Sequence, residues 1–167
     1  MSTTAPGIAG TRAGAPRRVV AIAGLLAGAF DLTFAFFFYS FQGATPPAIL
    51  RGIASGLVGR DAAFAAGSAP VALGAVLHFS IAVCAAFVFY AASRRFPLLV
   101  RRPLVSGAAF GVAVYLFMHL IVIPLSRIPF RVPSLHNIIG ELCSHIFLFG
   151  IVIALGVARA RGNSPAA

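Results

Sequence analysis

Residues Leu104–Pro124 read LVSGAAFGVAVYLFMHLIVIP, an apolar run without a formal charge. A helix rising about 1.5 Å per residue needs about 20 residues to cross a hydrocarbon core of about 30 Å. This run is long enough, and it follows directly on Arg101, Arg102 and Pro103. Three further runs match it, Val19–Phe41, Val71–Ala92 and Leu135–Ala158. Within lipid, a helix is the open-ended element that satisfies its own backbone. The pattern therefore predicts an all-α integral membrane protein. Its four-helix transmembrane bundle covers residues 19–158, with spans at 19–41, 71–92, 104–124 and 135–158.

Composition points the same way. Hydrophobic residues make up 60% of the 167 and charged ones 10%, against about 45–50% and about 25% in a soluble domain. Too little polar surface exists to coat a water-soluble globule. The apolar residues fall in blocks rather than in alternation, which excludes a β-barrel, collagen or wholesale disorder. The formal net charge of +10 comes from 13 arginines, no lysine, and the acids Asp31, Asp61 and Glu141. These arginines sit between the apolar blocks instead of forming a stripe, so nucleic acid is not the expected partner. Their reading is that they orient the helices and meet anionic lipid, with Arg94, Arg95, Arg101 and Arg102 forming a basic collar for head groups. Cys84 and Cys143 lie inside apolar blocks and are expected to be buried, with no disulfide framework and no C-x-x-C metal site.

The tails and loops fix an expected orientation. Residues 1–18 are small and Gly/Pro/Thr-rich and read as a disordered tail; residues 159–167 form a second tail. The first apolar run exceeds the usual core of about 7–15 residues in a signal peptide, carries Asp31 and offers no A-x-A cleavage pattern, so it is read as a retained span. Nine arginines fall in the N-terminal tail, the second loop and the C-terminus, against four (Arg51, Arg60, Arg127, Arg131) in the first and third loops. The positive-inside rule then places both termini on the cytoplasmic side of the membrane.

In the first outer loop, Gln42–Pro70, Thr45 is a candidate N-cap with Pro46 at the first helical position. Ile49, Leu50, Ile53, Leu57 and Val58 then recur at helical spacing. This predicts a short amphipathic helix in the outer interface, with Gly52 and Gly56 free to pack against another helix. A partly buried re-entrant loop is the alternative.

Every span carries an ionisable residue, which in lipid faces the bundle interior or a wet cavity. Asp31 is in the first, His78 in the second, His119 in the third, and Glu141 and His145 in the fourth, with His136 at its outer mouth. Asp31 and His119 lie about 18 and 22 Å from the inner ends of their helices; His78, Glu141 and His145 lie about 10, 9 and 15 Å below the outer ends of theirs. All five fall in one layer, from the midplane outward. The helix faces agree: Gly24, Gly28, Asp31 and Ala35 share a stripe, as do Gly74, His78, Ala82 and Ala85. Gly107, Gly111, Tyr115 and His119 form a third, and Asn137, Glu141 and His145 a fourth. Small residues at such spacing let helices approach closely.

Three readings of this polar layer stand open. Asp, Glu and His on neighbouring helices are the parts of a proton or ion relay, with Asp31 and Glu141 as proton acceptors and the histidines as relays. Glu141 and His145, at i and i+4, can reach one ion from a single helix, and His78 and His119 can complete a set for a transition metal or give axial ligands to haem. Alternatively, the groups act as interhelical glue in a structural or assembly subunit, with Ser80, Ser106 and Ser144 as hydrogen-bond partners. An enzyme is not expected, since no G-x-S-x-G, P-loop or H-E-x-x-H occurs. Tyr39 and Tyr90, near helix ends, are read as interfacial belt residues. Expected partners are the lipid bilayer, anionic lipids, and a second copy of the chain or another membrane subunit, since four short helices enclose little volume.

The segments Ala27–Asp31, Met118-His119, Pro124–Ser126 and Gly140-Glu141…His145 resemble small, uncharacterised four-span bacterial inner-membrane proteins. That resemblance implies the architecture and carries no ligand set or activity.

Overall fold

The computed structural model describes residues 15–65, 67–129 and 132–162, and all regular structure among them is helical. Four helices are long and apolar enough to cross a membrane: α1 (Ala15–Ser40), α4 (Ala69–Arg95), α6 (Pro103–Leu125) and α7 (Leu135–Gly162). Between α1 and α4 lie α2 (Pro46–Val58) and the single turn α3 (Arg60–Phe64); α5 (Leu98–Arg101) joins α4 to α6. The long helices begin and end within a few residues of the runs read from the sequence, because length and apolarity alone set them. Residues 1–14, 163–167 and Arg131, which entered the expectations about the tails and third loop, lie outside the described residues.

The four helices alternate in direction, α1 packing between α4 and α7 while α6 packs on α7. Small residues set these spacings. Gly24 of α1 meets Val83 and Ala86 of α4, and Gly28 meets Ala82. Gly107 and Gly111 of α6 lie against the backbone of α7 at Gly150–Ile151 and His145–Ile146. A side chain at any of these positions holds two backbones apart, so each glycine or alanine converts directly into closer helix contact. α4 and α6 stand further apart, bridged by the rings of Phe89 and Phe110 at 5.0 Å between centroids.

The apolar core fills one half of the bundle. Val20, Ala27, Ala86, Phe89, Ile153 and Val157 are buried there. That half ends in the arginines at the start of α1, the end of α4, the start of α6 and the end of α7. Outward faces are apolar: Phe37, Val76, Val105 and Leu120 are each more than 60% exposed. So broad an apolar surface calls for an apolar surrounding. Both cysteines belong to it, being free and exposed, which corrects their expected burial. The expectation rested on apolar neighbours in sequence, and in this fold apolar runs face outward as often as inward.

At the opposite end α2 forms where expected, with Pro46 in its first turn. Thr45 has the extended backbone of an N-cap but makes no capping bond through its side chain. Close packing comes from the partner helix: Gly74 of α4 admits the Leu50 backbone, while nothing lies within 4 Å of a Cβ built at Gly52. The Arg51 guanidinium donates to the carbonyls of Ala63, Ala65 and Gly67, tying the turn after α3 back to α2.

Two long helices widen locally into π-turns, Met118–Val122 in α6 and His145–Gly150 in α7. In α6 the cause is legible. Pro124 cannot donate a backbone hydrogen bond and its ring crowds the carbonyl one turn earlier, and an extra residue in that turn relieves the clash. In α7 the widened turn lies against the glycine seam of α6. Such turns are common at functional sites, and each here begins at or beside a polar-layer histidine.

Candidate functional site

Ser134 opens α7 by accepting a hydrogen bond from the Asn137 N–H (3.2 Å). From there α7 presents Glu141, Ser144 and His145 at i, i+3 and i+4, on one face. Each meets a group from another helix. The Tyr39 hydroxyl of α1 donates to Glu141 Oε1. His119 Nε2 of α6 lies 3.0 Å from Glu141 Oε2. Ser144 donates to Asp31 Oδ1 of α1 at 2.6 Å. From α4, His78 Nε2 lies 2.9 Å from the Gly28 carbonyl of α1.

Hydrogen-bond polarity fixes more than the distances do. His119 Nδ1 is 3.0 Å from the Tyr115 carbonyl, and a carbonyl only accepts, so Nδ1 carries a proton. The other ring nitrogen faces a carboxylate oxygen, and that contact also needs one proton. It resides on Nε2, making an imidazolium–carboxylate pair, or on Glu141, making a neutral pair. His119 and Glu141 thus hold one proton between them, with Tyr39 on the remaining carboxylate oxygen. The same reasoning puts protons on His145 Nδ1, 2.9 Å from the Glu141 carbonyl, and on His78 Nε2. His145 Nδ1 is 3.8 Å from Asp31 Oδ1, too far for a hydrogen bond but close enough for charges to interact.

The result is two adjacent pairs, Glu141 with His119 and Asp31 with Ser144 beside His145. The Tyr115 ring lies between the two histidines, 4.1 Å from His119 and 5.7 Å from His145 by centroid. Asp31, His78, Glu141, Ser144 and His145 line one pocket of about 190 Å³, covered by Ile49 and Ile53 of α2. His119 joins from the far side of Glu141. All five polar residues singled out in the sequence therefore meet in one layer. His136 does not join them and stacks on Phe38 at 4.8 Å.

Among the described residues, no three His, Cys, Asp or Glu side chains are grouped closely enough to hold one metal ion. The set His78, His119, Glu141 and His145 expected for a metal is instead divided, His119 and Glu141 against each other and His78 against backbone. Of the serines expected as partners, Ser144 takes that role, while Ser106 bonds to the Leu99 and Arg102 carbonyls near α5. Ser126 caps its own turn.

Sequence reasoning missed two members, Tyr39 and Tyr115. Tyr39, assigned to the interfacial belt, is the second ligand of Glu141. The signal was present: the stripe Asp31, Ala35 extends by one more turn to Tyr39. Tyr115 was on the α6 stripe, but nothing in the sequence marked it as the divider between two histidines.

Among the described residues the fold is all-helical, with four membrane-length apolar helices around a layer of hydrogen-bonded Asp, Glu, His, Ser and Tyr side chains. Comparison with models of known families, with curated proteins and with solved structures found no match.

Proposed function

We propose that this is a multi-pass protein of the bacterial inner membrane, with both termini cytoplasmic, whose interior binds and passes protons. The arginine distribution supports that orientation, with the polar layer then in the outer half of the bilayer. The single observation that carries the proton reading is the His119–Glu141 contact. With Nδ1 committed to a carbonyl, the contact stores one exchangeable proton, and Asp31 offers a second acid one helical turn away. Ionisable groups so placed in a membrane interior are the parts of a proton relay. Glu141 and Asp31 give a proton two alternative holders within that layer.

Interhelical glue is a second reading with its own support. Four contacts of the layer join two helices: Tyr39–Glu141 and Ser144–Asp31 join α1 to α7, His119–Glu141 joins α6 to α7, and His78–Gly28 joins α4 to α1. Glu141→Gln separates the two readings. Glutamine keeps an acceptor for Tyr39 and a donor for a neutral His119, so it preserves the joint, but it cannot hold the proton. With the chain reconstituted in vesicles enclosing a pH-sensitive dye, proton handling predicts that wild type moves protons and that Glu141→Gln and Asp31→Asn do not. Equal flux in all three, or none in any, leaves glue as the reading.

A further inference from the structure

The divergence of α4 and α6 leaves an apolar cleft of about 640 Å³, lined by Ile81, Val88, Phe110, Val114, Phe117 and Met118. It continues into a second hollow of about 390 Å³ beneath α2 through the shared residues Leu77, Ile81, Met118 and Val122. The rings of Phe89 and Phe110 narrow it at the arginine end. Helical periodicity carries its α4 face from Ile81 and Val88 to Arg95, and its α6 face from Phe110 back to Ser106, with Arg102 one residue before the start of α6. Arg94, Arg95, Arg101 and Arg102 are all exposed there. The turn that presents them is held in place: the Ser106 hydroxyl is 2.6 Å from the Leu99 carbonyl and 2.9 Å from that of Arg102.

No acidic side chain of the sequence stands beside those guanidinium groups. Its three acids are Asp31 and Glu141 in the polar layer and Asp61 in α3, at the other end of the molecule. The acidic side chains therefore leave the arginine end strongly basic. Guanidinium groups match phosphate oxygens bidentately, and the apolar cleft begins about two helical turns further in, at Val88 and Phe110.

We infer that the α4–α6 cleft is the seat of one anionic phospholipid, its phosphate paired with Arg95 and Arg102 and an acyl chain lying along Val88, Ile81 and Phe117. This rests on the membrane placement proposed above, which alkaline carbonate extraction tests separately, and not on the proton reading. A second copy of the chain is a poorer occupant, because it brings the same arginines to an end that already lacks acids.

Cys84 lies in the cleft and Cys143 on α7, both exposed, so the chain carries its own reporter and control. With the full chain in vesicles, phosphatidylglycerol carrying a diazirine in its acyl chain labels the segment around Cys84 more than that around Cys143, while phosphatidylcholine with the same diazirine labels the two alike. Native mass spectrometry after mild extraction retains one phosphatidylglycerol per chain. Each arginine near an anionic surface is worth about 5-fold in affinity, so Arg95→Gln with Arg102→Gln weakens retention roughly 30-fold. Ala113→Phe, on an exposed cleft wall, weakens it without altering charge. The proposal is overturned by equal labelling around Cys84 from the phosphatidylcholine probe, by undiminished retention in Ala113→Phe, or by Cys84–Cys84 crosslinking that reports a second copy in the cleft.

Discussion

Replacing Gly111 by alanine and replacing Gly52 by alanine are the same chemical change with opposite expected signs. A Cβ at Gly111 falls on the His145 carbonyl and comes within 2.8 Å of Ile146 Cα. Carbon atoms settle at about 3.5–4.0 Å, so α6 and α7 must part by about 1 Å. Overpacking of this kind costs about 1–3 kcal/mol, and alanine returns about 0.5–1 kcal/mol of helix preference. A net loss of about 0–2.5 kcal/mol follows, with its centre near about 1 kcal/mol. The same parting strains the 3.0 Å contact between His119 and Glu141, which the α6–α7 seam holds together. At Gly52 nothing lies within 4 Å and φ is not positive, so alanine stabilises α2 by about 0.5–1 kcal/mol. Reversible unfolding in mixed detergent micelles, followed by circular dichroism, reads both. If Gly111→Ala is as stable as Gly52→Ala, the glycine seam does not set the helix spacing.

Other perturbations separate the remaining parts. Glu141→Leu removes both interhelical bonds of the carboxylate, at about 0.6 kcal/mol each, and lowers stability by about 1 kcal/mol, whereas Glu141→Gln changes it by less; the same unfolding assay compares them. Arg51→Ala frees the Ala63, Ala65 and Gly67 carbonyls and costs about 1 kcal/mol locally. Amide exchange in α3 then quickens about 5-fold with global unfolding little changed. Cys143→Ala, on the exposed face of α7, changes stability by no more than about 0.5 kcal/mol in the same unfolding assay, and a larger loss contradicts its placement.

The long helices were legible in the sequence because span length and apolarity are one-dimensional properties. So was the inward stripe of α1, since Gly24, Gly28 and Asp31 have no other way to pack their small faces. The polar layer was legible as a depth coincidence, but its pairing was not. Which histidine meets which carboxylate depends on helix rotation and on the π-turns at Met118–Val122 and His145–Gly150. Only the first has a sequence cause, Pro124. Tyr39 was misread because a tyrosine near a helix end satisfies two rules, the interfacial belt and the inward stripe, and tertiary contact chose the second. The cysteines were misread because an apolar run has no inherent inside until its neighbours are known.

Proton sharing between His119 and Glu141 has a direct spectroscopic signature. Infrared difference spectra of the chain in lipid vesicles, taken across about pH 5 to 8, report carboxyl and imidazole bands together. Proton handling predicts a carboxyl and an imidazole change that rise together in wild type and vanish in Glu141→Gln while the helical amide bands persist. No change in wild type, or the same change in Glu141→Gln, contradicts it and leaves the polar layer as a joint between helices.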